Sequence, residues 1–295
     1  MIRRTLYGNH SHFRLLITVP HGSIGEVFFA RYPHFWQSFA EPNEIEAFYR
    51  YLRIEQDFGA KELAHRLAHW VNALMPQLGV LVLEKDYPRG ILDGGRQISH
   101  CLRSMVPTSL MQNLETDLLQ VHGSTLDVVR REIDVLNQQD GILIDLHTMA
   151  PYCPHFMQGE QNLQEHYDSL SDYLNHFLDP SFHHPDFKRD IDIITEDGSG
   201  NMIADQQLTL AFSSTLSAHF PLAFNDPYAA LPHFMMHEYL CSSKGIAIDI
   251  PKDLISQQVL PHFSLDRFDL CIQKVDRLAR LMAESVQTFF SGRET

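Results

Sequence analysis

The stretch GILIDLHTMAP, residues 141–151, decides how the chain is read. An apolar run of strand character leads straight into Asp145 and His147, and Pro151 then stops it. A buried carboxylate or imidazole costs free energy unless it is paired or ligates a metal. Side chains alternate along a strand, so Asp145 and His147 point to the same face. Partners for both must come from elsewhere in the chain.

Five further apolar runs resemble this one: RLLITV (14–19), GVLVLE (79–84), DIDII (190–194), PLAFND (221–226) and GIAIDI (245–250). Most are nearly continuous in apolar residues and rich in β-branched ones, as expected for strands covered on both faces of a mainly parallel sheet. Helical patterns lie between them. In residues 60–76, Leu63, Leu67, Val71 and Leu74 share one face, and Pro76 and Gly79 end the pattern. Residues 108–137, 163–178 and 205–220 are also predicted helices. A last helix, from about Asp266, should bury Phe268, Ile272, Val275, Ala279, Met282 and Val286. Stretches 22–56 and 85–107 show little period and read as insertions, which often carry function. The alternation predicts an α/β protein: a three-layer α/β/α fold around a central mixed, mainly parallel sheet, one domain over residues 1–295.

The formal net charge of -14 argues against a nucleic-acid partner. No apolar run approaches the ~18 residues of a membrane span. The N-terminal MIRRTLYGNHSHF lacks the apolar core of a signal peptide. The cysteines Cys101, Cys153, Cys241 and Cys271 form no CxxC pair, so reduced thiols and a cytoplasmic location are expected. Nothing in the composition bars self-association into a homo-oligomer.

Ligands of open α/β sheets sit beyond the carboxyl ends of the strands. Polar residues recur there: His21 in VPHGS; Arg89, Asp93 and Arg96 in EKDYPRGILDGGR; Asp145 and His147; Asn225 and Asp226 in FNDPY; and Asp249 within GIAIDI. Singly, each has an ordinary reading. A lone histidine is more often structural than a ligand, and NDPY is an ordinary turn signal. Convergence on one sheet edge reverses that. His21 and His147 can share a metal, and Asp57, in EQDFGAKELA before a helix, can supply a carboxylate. Two imidazoles, one carboxylate and an open position make a catalytic zinc site. Glu26 and Glu55 compete for the carboxylate role, and Asp57 reads equally as a helix cap.

VPHGS, EQDFGAKELA, RGILDGGR, IDLHT, NDPY and IAIDIPKDLI stand in the order seen in the N-formylglutamate amidohydrolase family. The resemblance covers about residues 15–256 and extends to succinylglutamate desuccinylase, aspartoacylase and, in fold, the zinc carboxypeptidases. It implies a phosphorylase/hydrolase-like, carboxypeptidase-like fold and one Zn²⁺ per chain. It further implies hydrolysis of a small anionic N-acyl amino acid such as N-formylglutamate. His21 and His147 match the family's imidazole ligands, with Asp57 as the chosen carboxylate. Arg89 matches the arginine that polarises the scissile carbonyl, and Arg96 the one that binds a substrate carboxylate. Asp249 falls at the acidic general base, and Asn225 joins the substrate-binding candidates. Gly95 stands where the family has Asn, and Asp249 where it has Glu. The shorter acid leaves Glu238 as an alternative base. A metallopeptidase or cell-wall amidase, and a non-catalytic metal-binding relative, are the competing functions.

Overall fold

A computed structural model describes residues 1–8, 12–152, 167, 169–179, 188–258, 263–267 and 269–293. Seven strands, β1 (Ile2–Tyr7), β2 (Leu15–Val19), β3 (Val80–Lys85), β4 (Ile142–Met149), β5 (Ile191–Ile194), β6 (Leu222–Phe224) and β7 (Gly245–Pro251), form one sheet. Their order is β1-β3-β2-β4-β7-β5-β6. Strands β3, β2, β4 and β7 run parallel. Strand β1 is antiparallel to β3, and β5 to β7, while β5 and β6 are parallel. The sheet is therefore mixed and mainly parallel.

Every residue of β2, β3, β4, β5 and β7 is buried, in keeping with their nearly continuous apolar runs. Strand β1 gave no such signal. It is an edge strand, and Arg3 and Arg4 sit exposed on it. Charges on an edge blunt strand-to-strand association, and they also hide the strand from a search for apolar runs.

Among the described residues the helices are α1 (Glu26–Arg31), α2 (Pro42–Glu55), α3 (Ala60–Leu74), α4 (Thr108–Gln138), α5 (Leu170–Leu178), α6 (Gln206–Leu216), α7 (Met235–Ser242) and α8 (Ile272–Ser291). Leu63, Leu67 and Val71 of α3 pack with Val275, Ala279, Met282 and Val286 of α8 against Ile17, Val82, Ile144 and Ile248. On the other face, Leu126, Val129 and Ile133 of α4 and Met235 and Tyr239 of α7 cover Leu16, Leu83 and Leu143. That completes the three layers.

Several boundaries differ from expectation. Helix α8 begins at Ile272, not near Asp266. Residues 269–271 before it pair with 255–257: Gln257 N donates to Asp269 O at 2.8 Å and Cys271 N to Ile255 O at 2.8 Å. Ile272 is 47% exposed rather than buried. Phe268, Cys153, residues 163–166 and 168 of the expected 163–178 helix lie outside the described residues. The 22–56 stretch is not aperiodic; it holds α1 and α2. A capping box between Glu41 and Glu44, with Pro42 in the first turn, starts α2. Phe48, Tyr51 and Leu52 of α2 join Phe28, Phe35, Tyr87, Tyr173 and Phe177 in a separate aromatic-rich cluster. Tyr173 and Phe177 of that cluster also line the cleft described below. No described helix is long and apolar enough to cross a membrane.

Candidate metal centre and active-site cleft

His21 follows β2 by two residues, His147 lies within β4, and Asp57 sits between α2 and α3. The Asp57 backbone N–H donates to His21 O at 3.0 Å, which ties that connection to the end of β2. Gly59, with φ 79°, occupies the cap position of α3, and no side chain caps it. The Asp57 carboxylate instead faces the imidazoles. Nδ1 of His21 and Nδ1 of His147 approach the same oxygen, Asp57 Oδ2, at 3.2 and 3.0 Å. The ligand atoms of the three side chains lie within 4.8 Å of one another, and all three residues are buried. The two rings stand 5.3 Å apart.

Each far nitrogen meets a second carboxylate. His21 Nε2 is 2.7 Å from Asp93 Oδ1, and His147 Nε2 is 3.0 Å from Asp145 Oδ2. Thr18 donates to the other Asp145 oxygen at 2.5 Å. A carboxylate behind an imidazole fixes the tautomer and leaves the near nitrogen free to ligate. Asp145, two residues before His147, is therefore paired with that histidine.

Opposite charges are buried side by side here. Burial alone would raise the Asp57 carboxyl, but His21, the hydrogen bond from His147 and Arg89 hold it well below the usual carboxylate range. Asp93 is likewise held low against burial by His21, Arg103 and Arg89. Burial would lower the His147 imidazole, yet Asp145 and Asp57 hold it well above its ordinary value. Three buried carboxylates thus converge on two imidazoles. Arg89, Arg96 and Arg103 offset part of that charge at Asp57 and Asp93, and a proton on His147 or a divalent cation can occupy the contact between the Nδ1 atoms and Asp57. The nitrogen, nitrogen, oxygen donor set fits a zinc ion with a position left open.

His21, His147, Arg89, Arg96 and Asp249 line one cleft. Arg89 donates to Asp57 Oδ1 at 3.3 Å, and Arg96 Nε to Asp93 Oδ2 at 3.1 Å. Asp249 is the strand neighbour of His147 on one side and of Asp192 on the other. It is 8% exposed, and its Oδ1 has no hydrogen-bond partner among the described residues. Burial pushes its carboxyl up to about 7 against the pull of His147, and Asp57 adds to the rise.

The remaining sequence candidates lie elsewhere or are already engaged. Asn225 is not among the cleft-lining residues. Its φ is 55°, and its amide oxygen accepts from Thr195 N at 2.7 Å and Glu196 N at 2.9 Å, which braces the turn after β6. Glu26 is exposed in the first turn of α1. Glu55 lines the cleft but is bound by Arg103 NH2 at 2.9 Å and by Tyr173 OH at 2.5 Å. Glu238 is outside the cleft and pairs with Arg130 at 2.6 Å and Gln97 at 3.0 Å.

Many cleft residues were not anticipated, among them Arg103, Lys252, Arg189 and Tyr228. Arg103 bridges Glu55 and Asp93, its NH1 3.1 Å from Asp93 Oδ2. Lys252 donates to Ile54 O at 3.1 Å, and burial pushes its ammonium down to about 8. Arg189 packs its guanidinium over the ring of Tyr228 at 5.6 Å. Lys252 stood within IAIDIPKDLI, three residues past Asp249, and its place after a strand end was the available signal. Arg103, Arg189 and Tyr228 carried no signal beyond their charge or ring.

The fold is shared with two solved structures. One is an N-formylglutamate amidohydrolase from Ralstonia eutropha, with a TM-score of 0.58 and 12% identity over 99% of this chain and 98% of that one. The other is a gene product from Agrobacterium tumefaciens, with a TM-score of 0.57 and 12% identity over 99% of this chain and 96% of that one. No family model and no curated protein matches the sequence. At this identity the likeness is one of fold, and it spans nearly the whole of each chain.

Proposed function

We propose that the chain is a zinc-dependent amidohydrolase that cleaves the amide bond of an N-acyl amino acid, with N-formylglutamate the first candidate. The observation that carries this reading is one cleft lined by His21 and His147, whose donor atoms meet the buried Asp57, together with a buried acid with an unpartnered oxygen and several arginines. The fold shared with a protein described as an N-formylglutamate amidohydrolase supports it.

His21 Nδ1, His147 Nδ1 and an Asp57 oxygen would hold the ion. When bound, zinc supplies Lewis acidity and lowers the pKa of a water towards about 7. Asp249 takes a proton from the attacking water and returns it to the leaving amine. Burial raises the Asp249 carboxyl, which helps it hold the proton between the two halves of that transfer. Arg89 donates to the acyl oxygen as it gains charge. Arg96 holds the substrate carboxylate through charge-assisted hydrogen bonds. Arg89, Arg96, Arg103, Arg189 and Lys252 all line the cleft of a chain with net charge -14. Several of these cations are paired with Glu55, Asp57 and Asp93, yet they offer a small anionic substrate, rather than a nucleic acid, positive partners in a chain whose overall field repels it. The described cysteines Cys101, Cys241 and Cys271 are free thiols, in keeping with a cytoplasmic enzyme.

The test is an amine-release assay on N-formyl, N-acetyl and N-succinyl amino acids with zinc-loaded and chelator-treated protein. Hydrolysis that disappears with the metal is expected. Zinc binding without turnover of any member of the panel would support the non-catalytic reading instead.

A further inference from the structure

The turn Asp93–Arg96 brings Asp93 to His21 and Arg96 to the cleft, and its other side is held in an unusual way. Three consecutive carbonyls each accept from a different element. Gly94 O accepts from Lys85 Nζ of β3, Gly95 O from Met235 N of α7 at 2.7 Å, and Arg96 O from His122 Nε2 of α4 at 2.8 Å. Lys85 is 2% exposed and His122 fully buried, and neither lines the cleft. With its carbonyls drawn to the protein interior, the turn presents the Gly95 N–H to both Asp93 Oδ1 and His21 Nε2, each at 2.9 Å. The same peptide run places the Arg96 guanidinium between Asp93 and the ring of Phe234, 5.3 Å away.

The chemistry of each donor fits this task. Lys85 also reaches Tyr239 OH at 3.3 Å, so its ammonium is shared between a carbonyl and a hydroxyl. His122 Nδ1 lies 3.1 Å from Tyr87 OH. An imidazole whose Nε2 donates to a carbonyl can accept from that hydroxyl only if it is neutral. Burial lowers the His122 imidazole to about 4, which keeps it neutral at ordinary pH. A buried polar group without a partner is costly, so each of these donors and carbonyls holds the other in place.

We propose that His122 and Lys85 are positioning residues that set, through the carbonyls of the Asp93–Arg96 turn, where Arg96 stands in the cleft. Small displacements of a substrate-orienting group are expensive in rate, up to about a hundredfold for roughly 1 Å. Placing Arg96 therefore requires rigidity behind it as well as beside it. The kinetic consequence rests on the amidohydrolase reading; the structural consequence does not.

The experiment compares His122→Phe, which fills the space without a donor, with His122→Gln, whose amide can still donate. Lys85→Met serves as a second, independent variant. The readouts are hydrogen–deuterium exchange over residues 93–97, zinc per chain, and kcat and KM on N-formylglutamate. In His122→Phe, exchange over 93–97 should speed up while zinc content stays at the wild-type level. KM should rise by about tenfold with kcat changed less, the size of one lost hydrogen bond of ordinary net strength. His122→Gln should stay near wild type in both readouts, and Lys85→Met should loosen the same five amides. Wild-type exchange in His122→Phe overturns the proposal, as does equal loosening in the Gln and Phe variants. If His122→Phe does not fold, exchange in Lys85→Met decides. If the wild type turns over no N-acyl amino acid, the function reading fails while exchange still decides this one.

Discussion

Gly95 packs against the His21 ring with no room for a side chain: a Cβ at residue 95 would lie 2.7 Å from Cε1 and 2.9 Å from Nε2 of the imidazole. The family pattern that the chain resembles has Asn at this position. Here an Asn would push the ring off Asp93 and move Nδ1 away from Asp57. Gly95→Asn should therefore weaken zinc affinity by about 10–100-fold, the usual penalty for disturbing the support of a ligating histidine. Competition with a chelator measures it. A Gly95→Asn protein with wild-type zinc affinity would show that the turn can yield, and that the close approach has no bearing on the metal.

The shared oxygen Asp57 Oδ2, reached by both Nδ1 atoms, leads to a prediction about occupancy. Wild-type protein should carry close to one zinc per chain. His21→Ala, Asp57→Ala and His147→Ala should each lose it, and removing zinc from the wild type should lower Tm through lost binding free energy. Metal analysis of the purified proteins checks this. Full occupancy in both histidine variants would remove the site.

Asp249→Asn should keep zinc and fold but lower kcat by at least about a hundredfold. Wild-type kcat in that variant would pass the base role to another acid.

The same substitution makes a prediction about pH and stability. The folded Asp249 carboxyl, pushed up to about 7, lies above the ordinary carboxyl value of 3.8. Between those values the native state binds more protons than the unfolded one, so stability falls as pH rises through the window. Metal-free Asp249→Asn lacks that titration. It should therefore be more stable than metal-free wild type at about pH 8 and differ little near pH 4. Thermal melts across that range decide it; a constant difference between the two proteins would count against the perturbed carboxyl.

Arg96 and Arg89 should fail differently. A contact to a carboxylate remote from the reacting bond exists in ground and transition states alike, so Arg96→Ala should mainly raise KM. A contact to developing charge exists mainly in the transition state, so Arg89→Ala should lower kcat by about 10²–10³. An amidated substrate should be poor for the wild type and should lose little more in Arg96→Ala. Equal losses on acid and amide in Arg96→Ala would mean that Arg96 does not read the carboxylate.

Much of the frame was legible along the chain. Strands β2, β3, β4, β5 and β7 are buried on both faces, and that burial is written directly as continuous apolar runs. The faces of α3 and α8 are written as spacings of three and four. The placement of His21 just past β2, and of His147 and Asp249 in the carboxyl halves of β4 and β7, followed from the same reading, because a strand's direction fixes where its carboxyl end lies.

What the tertiary structure alone decided depends on residues far apart in sequence. Asp57, Glu55 and Glu26 are equivalent as carboxylates in a string of letters. Only packing gives Asp57 to the imidazoles of residues 21 and 147, Glu55 to Arg103 and Tyr173, and Glu26 to solvent. Asn225 sits at a strand end like the others, yet its amide is used by the backbone of residues 195 and 196. The start of α8 was set by pairing of residues 269–271 with 255–257, which overrides local helical spacing. The roles of Arg103, Lys85 and His122 arise from contacts made by side chains whose neighbours in sequence say nothing of them. Local pattern encodes which face of an element is apolar; which polar groups meet across elements is settled by the cost of leaving any of them buried alone.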